Sequence, residues 1–246
     1  MYDIETYPNV FTLAVEHSEA PICWSFEISD QRNDSKEIIA FLQYLADTSA
    51  RMVGYNNLGF DYPVIHTLMQ MGYSDAQTLY NKAMAIITAQ DGDESRWMHS
   101  VKPSDRHVEQ IDLFKIHHFD NKARATSLKM LEFNMRSDSI EDLPFKVGTM
   151  LTAEQIVKLK QYNAHDVAQT KAFYHHTNEM IAFREKMCAM YPGKDWLNFN
   201  DTKIGKEFFA LKLEEAGVAL YDFGPKGRTP RQTKRPVIHL RDAILP

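Results

Sequence analysis

The chain has 246 residues, 44% of them hydrophobic and 25% charged, an ordinary globular composition that excludes a disordered or fibrous class and is long enough for one large α/β core with a helical annex. A formal net charge of −5 argues against a protein that grips duplex nucleic acid with its whole surface, although a carboxylate-built metal site would itself add negative charge. No apolar run approaches the roughly 18 residues that span a bilayer, the N-terminus lacks signal-peptide order, and Cys23 and Cys188 belong to no CxxC, so the expectation is a cytoplasmic protein with no membrane partner, disulfide framework or zinc ribbon.

Met1 to Thr6 reads as a strand entering an acidic turn, cut short because almost nothing apolar precedes Asp3. Residues 10–17 (VFTLAVEH) and 22–28 (ICWSFEI) are rich in β-branched and aromatic types, which predicts antiparallel strands following the first. Ser35 ahead of KEIIAFLQYLAD predicts an N-capped amphipathic helix. Arg51 to Tyr55 reads as a strand. Residues 60–71 (FDYPVIHTLMQM) read as a helix with Pro63 in its first turn and Gly72 at its end. Phe41, Leu42 and Leu45, with Leu68, Met69 and Met71, are expected in the core.

Residues 75–90 predict a further helix, 91–106 a polar loop, 107–114 (HVEQIDLF) a strand and 126–135 (TSLKMLEFNM) a short helix. Thr152-x-x-Gln155 is a capping-box pattern, opening a helical region to about residue 190 with room for one break. Residues 200–217 read as a last helix. From Asp222 the chain takes on Pro and Gly at intervals and six Lys or Arg between 226 and 241, the character of a connector. The domain reading is therefore 1–221 for the catalytic domain and 222–246 for a basic connector.

Asp3-Ile4-Glu5 puts two carboxylates two apart on a strand, where alternate side chains face the same way and can share a cation. Asn57-Leu58-Gly59-Phe60-Asp61 places a third carboxylate at a strand-to-helix junction, where an N-cap role for Asp61 is the competing reading. Tyr162-Asn163-Ala164-His165-Asp166 sets a phenol and a carboxylate four apart on one helix face. The pairs His117-His118 and His175-His176 lack metal-ligand spacing. Each motif is ambiguous alone; the argument lies in the set and its order.

That ordered set resembles the three motifs of DEDDy-type 3′-5′ exonucleases, which include proofreading domains of DNA polymerases and the RNase D group. The resemblance runs from DIET to YNAHD. It implies an RNase H-like fold, with a mixed five-stranded sheet whose first three strands are antiparallel, flanked by helices. It also implies two divalent ions, Mg²⁺ or Mn²⁺, held by Asp3, Glu5, Asp61 and Asp166, with Tyr162 orienting the attacking water. The related class with a catalytic histidine carries it five residues before the aspartate, and here that place is Gln161. Thr6, Asn57, Phe60 and Lys129 are the expected substrate contacts, and the 3′ end of single-stranded DNA the expected partner. FNDTKIGKEFF and RPVIHLRDAILP look similar to segments of phage replicative polymerases, which implies a polymerase domain in the same parent chain. The competing readings are an RNase D-like exoribonuclease and an inactive single-strand-binding module.

Overall fold

The computed structural model describes residues 1–91, 96–121, 123–224 and 227–230, and the chain divides into two compact units, Met1–Asn200 and Asp201–Pro246. The division falls ahead of the last helix rather than at Asp222. The expected connector beyond its first residues lies outside the described residues.

In the first unit, β1 (Tyr2–Tyr7), β2 (Val10–Glu16) and β3 (Cys23–Ser29) form an antiparallel meander in that order, as the strand-rich opening predicts. Tyr2 lies opposite Val15, Ile4 opposite Leu13 and Thr6 opposite Phe11. The first two of these pairs and Phe11 enter a core shared with α1 (Ser35–Asp47), α2 (Asp61–Met71) and α3 (Ala76–Asp91) through Ile38, Leu42, Val64, Ile65, Leu68 and Leu79. The alternate pairs, Asp3 with Ala14, Glu5 with Thr12 and Tyr7 with Val10, face the other way. That second face is covered by α6 (Ala153–His176). Tyr7 and Val10 pack there with Leu151, Ile156 and Leu159.

The remaining elements of this unit are β4 (Arg51–Gly54), β5 (Glu109–Asp112), α4 (Leu113–Ile116), α5 (Leu128–Met135) and α7 (Asn178–Met190). β4 and β5 pair in parallel as a separate two-stranded sheet. The expected single five-stranded sheet is thus not formed as one ladder. β4 lies beside β1, but the outward N–H of Ile4 donates to the Asp61 carboxylate at 3.2 Å. A buried side chain ties β1 to β5: the Tyr2 hydroxyl donates to Gln110 Oε1 at 2.7 Å.

Helix limits follow the local chemistry. The capping box at Thr152 and Gln155 is present, and Thr177 interrupts the helical region between α6 and α7, its hydroxyl donating to the Phe173 carbonyl. Ser35 does not cap α1. Asp34 precedes the helix without a side-chain cap, and Ser35 Oγ donates to the Ser74 carbonyl at 3.1 Å. The strand read over 107–114 is shorter, because Asp112 caps α4 by accepting from Phe114 and Lys115 N–H groups. Met71 is exposed at the last turn of α2 rather than buried. Cys23 and Cys188 are both free thiols, and no helix among the described residues is long and apolar enough to cross a membrane.

The second unit contains α8 (Asp201–Glu215) and a hairpin of β6 (Tyr221–Gly224) with β7 (Gly227–Pro230).

Arg184 on α7 is fully buried, its guanidinium donating to the carbonyls of Phe199 at 2.7 Å, Met180 at 2.8 Å and Ile116 at 3.2 Å. It closes the end of the first unit on backbone oxygens. Arg184→Ala strands those acceptors away from water and is expected to lower unfolding stability by about 3 kcal/mol. Denaturant unfolding checks this, and a loss below about 1 kcal/mol would contradict it.

Candidate active site

Between the second face of β1 and helix α6, three carboxylates converge. One oxygen each of Asp3, Glu5 and Asp166 lie within 4.8 Å of one another. Strand alternation aims Asp3 and Glu5 at the helix, and the α-helical repeat brings Tyr162 and Asp166 onto the face that meets them. Asp61 enters from the side, at the first residue of α2. It is 4% exposed, and its Oδ1 accepts from Ile4 N–H, so it braces the strand that carries Asp3 and Glu5 instead of capping its own helix.

Burial is the first cause of the electrostatics here, and mutual repulsion the second. Both push Asp3 and Glu5 well above the usual carboxylate range, Asp3 against Asp61, Glu5 and Asp166, and Glu5 against Asp166 and Asp61. Burial raises Asp61 to about 7 and Asp166 to about 6. The Tyr162 hydroxyl is the hydrogen-bonding partner of the Asp166 carboxylate, which opposes the rise at Asp166. Burial and the nearby Asp166 and Glu5 push the phenol itself up, so Tyr162 keeps its proton.

Two residues that the sequence reading passed over hold this arrangement. Asn163 is 1% exposed, donates from Nδ2 to Asp3 Oδ2 at 2.7 Å, and accepts from the Thr12 hydroxyl at 3.1 Å. It fixes the Asp3 carboxylate between strand and helix. Its place inside the Tyr-x-x-x-Asp motif was the available signal. Asp112, wholly buried, accepts from the N–H groups of Asn56 and Leu58 at 3.1 Å as well as capping α4. It thereby anchors the turn leading to Asp61. Close packing in that turn is the reason for its glycines: a Cβ on Gly59 would meet Asn56 Oδ1 at 2.5 Å, and one on Gly54 would meet Asn57 Cβ at 2.7 Å.

The expected substrate contacts sit in different environments. Asn57 is fully buried; turned with its oxygen toward the Tyr2 hydroxyl, its amide donates to the carbonyls of Gly54 and Ile111, each at 3.2 Å. Its side chain ties β4 to β5. Thr6 shares the strand face of Tyr2 and Ile4, opposite the carboxylates. Phe60 packs against the core of α1, α2 and α3. Lys129 is exposed on α5 and pairs with Asp142.

The donor set fits a hard divalent cation. Three carboxylate oxygens within one small sphere, with a fourth carboxylate beside them, match the all-oxygen preference of Mg²⁺ or Mn²⁺. Such a cation would also relieve the repulsion that crowding creates.

A family model described as predicted 3′-5′ exonuclease related to the exonuclease domain of PolB matches residues 9–187. The chain belongs to this family. The matched span contains Asp61, Tyr162 and Asp166, whereas Asp3 and Glu5 precede it and join the site through geometry alone. No curated protein and no solved structure matches the chain. As a member of this exonuclease family it is assigned a phosphodiester-hydrolysing activity, and the acidic cleft is the place in the first unit that suits such chemistry.

Raised carboxylate pKa values have a definite sign for stability. Their contribution is fully present below the unfolded value near pH 4 and is lost as pH climbs through the folded values of about 6 for Asp166 and about 7 for Asp61. In EDTA the melting temperature is expected to fall between pH 5 and pH 8 by roughly 5 °C more in the parent than in Asp61→Asn, at 2–4 °C per kcal/mol. Millimolar Mg²⁺ should remove that difference. A parent no less stable than the variant at pH 8 in EDTA would contradict the electrostatic account.

Proposed function

We propose that this chain is a DEDDy-type exonuclease of RNase H-like fold that hydrolyses DNA from its 3′ end and releases nucleoside monophosphates. The observation that carries the reading is the convergence of Asp3, Glu5 and Asp166 beside Asp61, with the Tyr162 phenol at the same carboxylate. The family's relation to a polymerase exonuclease domain favours DNA over RNA.

In this reading Asp3, Glu5, Asp61 and Asp166 hold two divalent ions, Mg²⁺ or Mn²⁺. When bound, such ions stabilise the attacking and leaving oxygens of an in-line displacement. Tyr162, protonated throughout, would turn its single proton from the Asp166 carboxylate to the attacking water and orient it. The Glu5 carboxylate accepts from the same water on its other side. Asn163 keeps Asp3 aligned through its 2.7 Å hydrogen bond. Water oxygen bonds to phosphorus as the water gives up a proton by way of Glu5 to solvent, the bond to the 3′ oxygen breaks, and that oxygen leaves with a proton from solvent.

The biological setting that best suits this activity is proofreading, with the chain forming the exonuclease part of a phage replicative polymerase that acts in the host cytoplasm. The polymerase-like segments FNDTKIGKEFF and RPVIHLRDAILP and the family's relation to PolB support it.

Single-turnover digestion of a 5′-labelled single strand tests the assignment. Asp3→Ala is expected to lower the rate by at least about 100-fold with the fold intact, since it removes one of the carboxylates that would hold the ions. Tyr162→Phe should lose on the order of 100-fold in rate, the cost of one donor at the reacting centre, with unchanged metal affinity. A folded Asp3→Ala protein that digests at the parent rate would rule the site out.

A further inference from the structure

A second cluster of donor atoms adjoins the carboxylate cleft through Asp166. One ligand atom each of Glu132, His165 and Asp166 lie within 4.8 Å of one another, and neither Glu132 nor His165 takes part in the hydrolysis proposed above. The packing of α5 on α6 sets their places. Leu131 and Val167 enter the same core, and Ser137 Oγ, just past α5, donates to Gln169 Oε1 on α6 at 2.7 Å. Glu132 follows Leu131 in the chain and Asp166 precedes Val167, so the two helices bring these donors together from either side.

Their spacing is unlike that of an ordinary ion pair. Glu132 is 2% exposed, and among the described residues its carboxylate has one hydrogen-bonding partner, His165 Nε2 at 3.4 Å. A charge-assisted contact between such groups closes to about 2.7–2.9 Å. The wider gap is the one that two ligands of a single tetrahedral ion keep, since bonds of about 2.0–2.1 Å to nitrogen and oxygen hold the donor atoms about 3.3–3.4 Å apart. The imidazole is set in the same sense. Its Nδ1 faces Glu141 Oε1 at 4.0 Å, and a metal-bound histidine turns its second nitrogen toward a carboxylate that fixes the ring. Burial is the first cause that pushes the Asp166 carboxyl up, and Glu132 and Glu141 add to it. Negative charge thus gathers at this corner, where a cation would relieve it.

We infer that Glu132, His165 and Asp166 form a zinc site, separate from the ions of the cleft and joined to them by Asp166. Three protein ligands and a water make up the four-coordinate shell that zinc adopts. The imidazole decides the metal: Mg²⁺ demands a near-octahedral shell of oxygens, whereas imidazole together with carboxylate suits zinc. Asp166 offers one oxygen to each site, so zinc draws its charge away from the cleft and weakens Mg²⁺ there. That last consequence, unlike the site itself, rests on the exonuclease reading above.

Equilibrium dialysis of the full chain against Zn²⁺, in millimolar Mg²⁺ to contest the cleft carboxylates, reads the site directly. The parent should take up a single equivalent. His165→Gln and Glu132→Gln should each weaken the Kd by at least about tenfold, the least that losing even a ligand-orienting group costs. Asp3→Asn, which alters the cleft alone, should keep the parent affinity for zinc. Circular dichroism in EDTA checks that each variant folds; if Glu132→Gln does not, His165→Gln, at a side chain 13% exposed, decides. Co²⁺ in place of zinc should give the visible absorption of a four-coordinate ion in the parent and lose it in His165→Gln. No zinc uptake by the parent, parent-like affinity in His165→Gln, or an equal loss in Asp3→Asn overturns the inference. In a Mg²⁺ digestion, zinc should slow the parent, and His165→Gln should need at least about tenfold more zinc for the same fractional loss; full-rate digestion by the zinc-loaded parent would contradict the sharing of Asp166. Zinc uptake that His165→Gln abolishes, with no digestion of any substrate by the zinc-free parent, would uphold the site and defeat the exonuclease reading instead.

Discussion

Crowding of like charge in a partly buried cleft is the constraint around which the first unit is arranged. At an effective dielectric near 20, two carboxylates roughly 5 Å apart repel by about 3 kcal/mol, and here Asp3, Glu5 and Asp166 meet at that range with Asp61 adjoining. Burial and the neighbouring acids push Asp3 and Glu5 up, opposed at Asp3 by a hydrogen bond from Asn163. A fold tolerates such strain where surrounding structure over-determines it, and the functional reading of the site begins there.

That surrounding structure is identifiable. The meander supplies two faces, one largely apolar against α1 to α3 and one that carries Asp3, Glu5 and Thr12 toward α6. Asn163 spans the gap between strand and helix. Asp112 holds the turn that delivers Asp61, and Asp61 in turn braces Ile4 on the strand between the other two acids. The side chains that position the carboxylates are therefore themselves buried and hydrogen-bonded, so a small disturbance at Asp112 or Asn163 would be felt at the cleft.

The sequence made the acidic set legible because its spacing is set by local geometry: period two for Asp3 and Glu5, and one helical turn for Tyr162 and Asp166. The antiparallel opening and the capping box at Thr152 were readable for the same reason, whereas the place of the break at Thr177 was not. What could not be read was set by non-local packing. Asn57 looked like a substrate contact because it sits in a motif beside Asp61, but its amide is used to join β4 to β5. The competing N-cap reading of Asp61 fails, because its carboxylate reaches across to β1. Nothing in the local pattern distinguishes a ladder between β1 and β4 from a contact bridged by side chains, so the single five-stranded sheet was the natural and incorrect expectation.

The central claim is that the carboxylate cleft removes nucleotides from a 3′ end with the help of divalent ions. It is tested most directly by a digestion time course on one DNA single strand labelled at either end, with Mg²⁺ or with EDTA. The account predicts that in Mg²⁺ the 3′-labelled strand yields labelled mononucleotide from the first time point, the 5′-labelled strand shortens in a ladder of single steps, and EDTA abolishes both. Cleavage that persists in EDTA, or internal fragments from the 5′-labelled strand without a ladder, would contradict it.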